Sequence, residues 1–546
     1  MAPHHHQDHK DHPRHFPAEL PHHINHQPAI KYQRRSQFWK RFLTASSFGA
    51  ILFLLTSQAD QAHGHQHPPT PSSSSNLLEP PPLTFSKGNT FQISIFQDLH
   101  FGENAWEEWG PLQDLSTVRV MNTVLDSEPA TNLVVLNGDL ISGENTYQEN
   151  STRYIDQIVE PMVKRGLTWA STYGNHDGDF NLSREALWEE ERKWLGSRTG
   201  RMVSTTDNEE EAAAAAAAGV TNYYLPVYPA GCGSRRKQTR QNLSWYRWAT
   251  NIYQNLNLNQ NQNAHEEEEE ATDCTAPSLL LWFFDSRGGI KYQQRHPVTG
   301  HPLPEPNWVH QSVVDWFTST SASISAAAGG RVIPSIGFVH IPTNASLALQ
   351  QSSQKGGVDA NRHPGINDDV PVAQQGQGWC GANGESGGGG GGEGCDYGEQ
   401  DVPFMEAIAS TPGMMALFSG HDHGNTWCYK WDGQVPGTSQ QKEEEEKEAV
   451  TGDEGGQGNG QGHERGVNLC FGQHTGYGGY GSWIRGSRQV VVDQEELKEF
   501  VIRTHIRLEN GGVVGAVTLN ATYGEDKYPA TPNEKTHLLD SALEDF

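Results

Sequence analysis

Met414-Met415-Ala416-Leu417-Phe418-Ser419-Gly420-His421-Asp422-His423 is the stretch that decides the fold. Its first six residues read as a fully buried strand. The glycine ends that strand, and two imidazoles with a carboxylate between them follow at once. That is the place, just beyond a strand's carboxyl end, where open α/β sheets hold their ligands. Four more runs repeat the design. FQISIFQ at 91–97 leads into Asp98-Leu99-His100, and LVVLN at 133–137 into Gly138-Asp139. TWASTY at 168–173 leads into Gly174-Asn175-His176-Asp177, and IPSIGFV at 333–339 into His340. Carboxylate, amide and imidazole gathered at strand ends are the ligands that a pair of first-row metal ions takes.

Between these runs the apolar spacing turns helical. Leu115, Val118, Met121, Val124 and Leu125 predict a helix over 112–125, and Ile155, Ile158, Val159 and Met162 another over 151–164. Strands alternating with helices argue for a sheet containing parallel strands. LLLWFF at 279–284, ahead of Asp285-Ser286-Arg287, adds a further buried strand. Residues 500–508 and 512–519 read as an antiparallel hairpin turning at Asn510-Gly511-Gly512.

The chain has 546 residues, 35% of them hydrophobic, enough for one large domain or two moderate ones. Its formal net charge is −27, much of it in Glu runs at 209–211, 266–270 and 443–446. Such an acidic chain is a poor match for nucleic acid, whose affinity comes mainly from Lys and Arg on phosphates, and no nucleic-acid partner is expected. The six cysteines, Cys232, Cys274, Cys380, Cys395, Cys428 and Cys470, contain no CxxC pair. That argues against a zinc ribbon and for disulfides in an oxidising compartment. FLTASSFGAILFLL at 42–55 follows a basic stretch and precedes Ser57-Gln58-Ala59. It reads as a signal peptide or as a signal anchor, and 42–59 would then be a membrane anchor. Either reading places the rest of the chain in the secretory pathway: secreted, vacuolar, or membrane-anchored with a lumenal or extracellular catalytic part. Sequons stand at Asn150, Asn181, Asn242, Asn344 and Asn520.

The chain divides by composition into a His-rich tail at 1–38, the targeting segment at 39–59 and a Pro/Ser-rich linker at 60–85. One domain follows at 86–546. Low-complexity insertions at 209–219, 255–272, 381–394 and 442–466 have little apolar residue to bury and read as surface loops.

The five motifs, in this order and each after an apolar run, resemble those of the calcineurin-like metallophosphoesterases, a family that includes the purple acid phosphatases. The resemblance covers 91–427. It implies an α/β fold, the metallophosphoesterase four-layer αββα sandwich of two mixed sheets flanked by helices, here with disordered insertions and an N-terminal tail. It implies a phosphoester substrate, a small molecule or a phosphoprotein, and two divalent or trivalent metal ions of the Fe, Mn or Zn kind. Asp98, His100 and His423 would hold the first, Asn175, His340 and His421 the second, and Asp139 would bridge them. A bridging hydroxide would be the nucleophile, His176 the general acid, and Asp177 the group that orients His176. Asp422 would support the ligands from behind. The implied activity is phosphomonoester hydrolysis. The alternatives are phosphodiester hydrolysis on nucleotide or lipid head-group substrates, and a catalytically silent surface protein.

Two departures from the purple acid phosphatases stand out. Ser142 occupies the position of their iron-binding Tyr, and His100 stands where they lack a His, so no purple chromophore is expected. FGENAW, GENTY and SGHDHGN are most similar to fungal phosphoesterases related to the yeast dosage-dependent cell-cycle regulator phosphatase. A small group of plant purple-acid-phosphatase-like proteins comes next. Trp427 and Trp431 would shape the pocket. Arg485 and Arg488 would either grip the distal part of a substrate or form an ordinary surface pair in a turn.

Overall fold

The computed structural model describes residues 80–202, 217–232, 274–352, 357–378, 397–431 and 466–536. Contacts divide the chain into two units, 1–77 and 78–546. The first lies wholly outside the described residues, and with it the tail, the targeting segment and most of the linker. The insertions at 255–272 and 381–394 lie outside them as well, as do 209–216 and 442–465; Ala218, from the end of the first stretch read as a surface loop, is buried in the core.

Two mixed sheets form the second unit. Six strands in the order β15-β14-β13-β2-β3-β4 make one. They are β2 (Thr90–Phe96), β3 (Thr131–Asn137), β4 (Trp169–Thr172), β13 (Gly486–Asp493), β14 (Ile502–Leu508) and β15 (Val513–Leu519). Strands β2, β3 and β4 run parallel; β13, β14 and β15 pair antiparallel, with β13 against β2. The other sheet orders seven strands β1-β5-β6-β9-β10-β12-β11. These are β1 (Leu83–Thr84), β5 (Tyr223–Tyr228), β6 (Leu279–Phe284), β9 (Ser335–Val339), β10 (Met414–Ser419), β11 (Cys428–Trp431) and β12 (Val467–Phe471). Here β6, β9, β10 and β12 are parallel neighbours. A separate hairpin pairs β7 (Ile290–Arg295) with β8 (Pro302–Pro304).

The period of two along each strand sorts side chains into layers. Phe91, Ile93 and Ile95 of β2, Leu133 and Val135 of β3, and Val490 and Val492 of β13 meet Leu279, Leu281 and Phe283 of β6, Ile336 and Phe338 of β9, and Phe418 of β10 in one buried cluster. That cluster joins the two sheets face to face. An aromatic ladder, Tyr223–Phe283–Phe338–Phe418, runs across it with centroids 4.5, 5.1 and 5.9 Å apart. The alternate residues face helices. Phe96, Val134 and Leu136 pack against α1 (Gly110–Ser127), α2 (Tyr154–Arg165) and α3 (Arg184–Glu191). Leu280, Trp282 and Phe284 pack against α4 (Gln311–Ala327), α5 (Asn344–Gln351) and α6 (Val402–Ser410). The result is the expected αββα sandwich.

Four details depart from the sequence reading. The buried stripe of α1 runs through Thr117, Val120, Met121, Val124 and Leu125, which leaves Leu115 on the outer face. Strand β1 and Phe85, from the end of the stretch read as linker, join the seven-stranded sheet and its core. Trp427 and Trp431 are buried among the residues beneath α4 and α6, so they fill core and do not line a pocket. The expectation of a membrane anchor and a transmembrane span is also corrected. No helix among the described residues is long and apolar enough to cross a membrane. The longest, α1, carries Gln113, Asp114, Arg119 and Asp126 and buries one face in the domain. Residues 42–59, where the anchor was expected, lie outside the described residues.

Candidate metal centre

Five parallel strands, three from one sheet and two from the other, end at the same rim. Asp98 and His100 follow β2, Asp139 follows β3, Asn175 and His176 follow β4, His340 follows β9, and His421 and His423 follow β10. The loops interlock through their backbones. Asp98 N donates to Gly138 O at 3.0 Å, Leu99 N and His100 N donate to Asp139 O at 2.8 and 3.0 Å, and Gly420 N donates to His340 O at 2.9 Å. Four of the residues concerned hold left-handed backbone: Asp98 (φ 52°), His100 (φ 50°), Asp139 (φ 49°) and His421 (φ 74°). Such conformations are unfavourable for residues with a Cβ, and they cluster where a site dictates side-chain direction. Gly138 (φ 89°) has no alternative, because a Cβ there would strike the His340 ring.

The side chains collect in two groups. Ligand atoms of Asp98, His100 and His423 lie within 4.8 Å of one another, and so do those of Asp139, His340 and His421. Asp139 faces both groups, with Oδ2 3.0 Å from His340 Nε2 and 3.9 Å from His100 Nε2. Asp98 Oδ1 is 3.7 Å from His423 Nε2 and accepts from His421 N at 3.0 Å. Backbone carbonyls fix the histidine tautomers. His340 Nδ1 donates to Asn137 O and His423 Nδ1 to Tyr480 O, both at 2.9 Å, which turns each Nε2 inward. His100 Nδ1 is held by Ser142 Oγ at 3.1 Å, and its Nε2 faces His423 Nε2 at 3.3 Å. Outer partners of this kind aim metal-binding imidazoles.

Two cations fit these donors. Asp98 Oδ2 and Asn175 Oδ1 are buried with no hydrogen-bond partner, and buried polar oxygens are rarely left so. The facing Nε2 atoms of His100 and His423, 3.3 Å apart, either share one proton or turn both lone pairs to one cation. Burial keeps His100 down at about 4 and His421 at about 3, helped by the charges of His176 and His340 respectively, so both offer lone pairs at neutral pH. Burial lifts Asp98 to about 7. His340 resists burial because Asp139 and then Asp98 outweigh it, and its pKa rises to about 9. In the metal-free protein a proton on His340 therefore supplies positive charge that a cation would replace.

His176 stands beside this cage, its ring edge-on to His100 at 5.0 Å between centroids. Its backbone N donates to Asp139 Oδ1 at 2.8 Å. Among the described contacts Asp177 makes no bond to the His176 ring. Its carboxylate accepts from Leu140 N, Ile141 N and Gly174 N at 2.9, 3.0 and 2.8 Å, tying the loops after β3 and β4 together. Asp422 is buried and accepts from Ala373 N, with no bond to a ligand histidine among the described contacts. Arg485 and Arg488 are fully buried and spend their guanidiniums on backbone carbonyls of Trp483, Gly481, Phe471 and Thr426 and on Thr504 Oγ1. They brace the rim from below and do not face a substrate. Arg184 likewise donates to Gly174 O at 2.7 Å and Gly288 O at 2.8 Å, and Asp285 accepts from Val220 N and Arg287 N.

Sequence reasoning missed Tyr480. Its ring stacks on His423 at 4.0 Å, and its hydroxyl accepts from His423 N and donates to Asp369. The GYGGYG run that carries it was visible, and its closeness explains the glycines: a Cβ on Gly479 (φ 74°) would meet His423 and His100.

A sequence profile for the family described as calcineurin-like phosphoesterase matches residues 93–425. The "Probable inactive purple acid phosphatase 29" of Arabidopsis thaliana is 21% identical over 75% of this chain and 79% of its own length. "Phosphatase DCR2" of Saccharomyces cerevisiae is 34% identical over 18% of each chain. A dimetal phosphatase from Danio rerio superposes with a TM-score of 0.37 at 9% identity, over 79% of this chain and 99% of that one.

Proposed function

The chain belongs to the calcineurin-like phosphoesterase family, and from that premise we propose that it is a dinuclear-metal phosphatase acting on phosphomonoesters. The observation that carries the reading is the pair of facing ligand groups with Asp139 between them and His176 at their edge. Asp98, His100 and His423 would hold one ion; Asn175, His340 and His421 the other; Asp139 would contact both. Ions bound there supply Lewis acidity toward a phosphoryl oxygen and a water of lowered pKa. A shared carboxylate lets two cations sit close, and the mainly neutral remaining ligands leave their charge available to the substrate. His176 would hand a proton to the leaving oxygen, a contribution of roughly 10²–10⁴ in rate. Burial opposes charge on its ring, but in the metal-free protein Asp139 and then Glu144 outweigh burial and hold its pKa up at about 10.

Disulfides Cys232–Cys274 and Cys428–Cys470 support an oxidising compartment, and we place the enzyme in the secretory pathway, secreted or vacuolar. The stretch shared with the yeast phosphatase supports a place in the fungal branch of the family. The plant relative's name carries the word inactive; the full ligand set here argues for an active enzyme.

A phosphoester panel on the full chain tests the reading, with Mn, Zn, Fe and Mg each supplied. We expect monoesters to turn over faster than diesters and His176→Ala to lose activity with its metals retained. Two bound ions without hydrolysis of any ester would support the silent-protein reading. Faster turnover of diesters would make the chain a phosphodiesterase.

A further inference from the structure

We propose that Glu144 is a positioning residue that holds the His176 ring for proton transfer, an inference that rests on the reading of His176 as proton donor. Both carboxylate oxygens of Glu144 reach His176 Nδ1, at 2.8 and 2.9 Å. With Nδ1 engaged, only Nε2 is free to meet a leaving group. Asp177, the neighbour expected to orient the ring, accepts instead from three backbone N–H groups, and among the described contacts Glu144 is the carboxylate bonded to the ring.

The local fold presents Glu144 to the ring. Glu144 lies in a short 3-10 turn, Gly143–Asn145, that begins four residues after Asp139. Gly143 N donates to His176 O at 3.0 Å, and a Cβ on Gly143 would lie 2.6 Å from that oxygen, so glycine is what allows the two loops to touch. Thr146 N and Oγ1 both donate to Gly143 O, at 3.1 and 2.9 Å, and Asn104 N donates to Asn145 Oδ1 at 2.8 Å. The other end is as firmly set, since His176 N is bound to Asp139. Both partners are therefore fixed at the backbone, and the side-chain contact decides the ring angle.

Stability does not account for this pair. His176 is 35% exposed and Glu144 44%, and an ion pair so exposed contributes about 0–1 kcal/mol. Orientation does account for it. The last torsion of a histidine is broad and roughly two-fold, so an unheld ring turns either nitrogen toward the reacting atoms. A ring held at Nδ1 presents Nε2 every time.

The test uses the full chain with its metals. Glu144→Ala should lower kcat on an alkyl phosphate by about 10–100-fold, part of the range for a lost general acid. On nitrophenyl phosphate, whose leaving group needs no proton, the loss should be much smaller. KM and the content of two metal ions should stay at parent values. Glu144→Gln should retain most of the activity, because its amide oxygen still accepts from Nδ1. In a His176→Ala background, Glu144→Ala should add no further loss. A crystal structure of metal-free Glu144→Ala should show the His176 ring in more than one orientation.

Equal losses on the two substrates, additive losses in the double variant, a Glu144→Gln loss as deep as that of Glu144→Ala, or a single unchanged ring orientation would each overturn the positioning role. Parent-level turnover of alkyl phosphate by His176→Ala would instead bring down the proton-donor reading beneath it. Full activity in Glu144→Ala beside a disabled His176→Ala would remove Glu144 alone.

Discussion

Asp139 is the residue on which the centre turns, because its Oδ2 lies 3.0 Å from His340 Nε2 in one ligand group and 3.9 Å from His100 Nε2 in the other. Asp139→Asn keeps the shape but removes the charge that lets two cations sit side by side. Metal analysis should find fewer than two tightly bound ions, and activity should be lost; two ions with normal turnover would refute the bridging role. Metal uptake should also depend on pH. His340 carries a proton below about 9, and Asp98 gains one below about 7. Cations must displace these protons, so apparent affinity should rise from pH 6 to 9. Calorimetric titration of metal-free protein in two buffers of different ionisation heat should report net proton release. The proposed ligands were legible in sequence because each follows an apolar run. The contacts of Ser142, Glu144 and Tyr480 were not, since each acts across loops that only folding brings together: Tyr480 reaches His423 from 57 residues away.

At the scale of elements, α1 shows how the rim is tied to the scaffold. Asp114, in its second turn, accepts from Gly102 N with both oxygens, at 3.2 and 3.3 Å, just after the His100 loop. Burial pushes its pKa from 3.8 up to about 7; the Gly102 bond opposes this and Glu103 adds to it. The sign follows from linkage. Between about pH 4 and 7 the folded chain holds a proton that the unfolded chain has released, so stability falls as pH rises through that window and stays reduced above it. Asp114→Asn keeps an oxygen for Gly102 without the buried charge. Its melting temperature should exceed the parent's by a few degrees at pH 8 and match it at pH 4; a lower value at pH 8 would show that the charge itself holds the loop. The strands that end in the motifs were legible from unbroken apolar runs. Strand β13 was not, because Gly486-Ser487-Arg488-Gln489 hides its first half. The buried Arg488 reads as a surface residue until its carbonyl partners are seen.

For the molecule as a whole, the insertion at 432–466 joins two strands that already pair with each other. Residues 432–466 leave from Trp431 and return at Val467, which are directly paired across β11 and β12. A two-residue Asn-Gly turn can close that gap as an ordinary hairpin. The shortened protein should melt within a few degrees of the parent, since each halving of a loop changes its closure cost by only about 0.6 kcal/mol. It should also keep its hydrolysis rate; a folded variant without activity would place that segment at the substrate. The disulfides extend the point. Cys232–Cys274 encloses 233–273, and Cys428–Cys470 encloses 429–469. Under oxidising conditions each insertion is a closed ring in the unfolded chain as well as in the folded one. Its length then enters both states alike and largely cancels from the balance between them. A protease that nicks either ring would leave the pieces covalently joined, running as one band on a gel until reductant releases them. Each crosslink thus holds the two residues that flank its ring together whatever the length of chain between them.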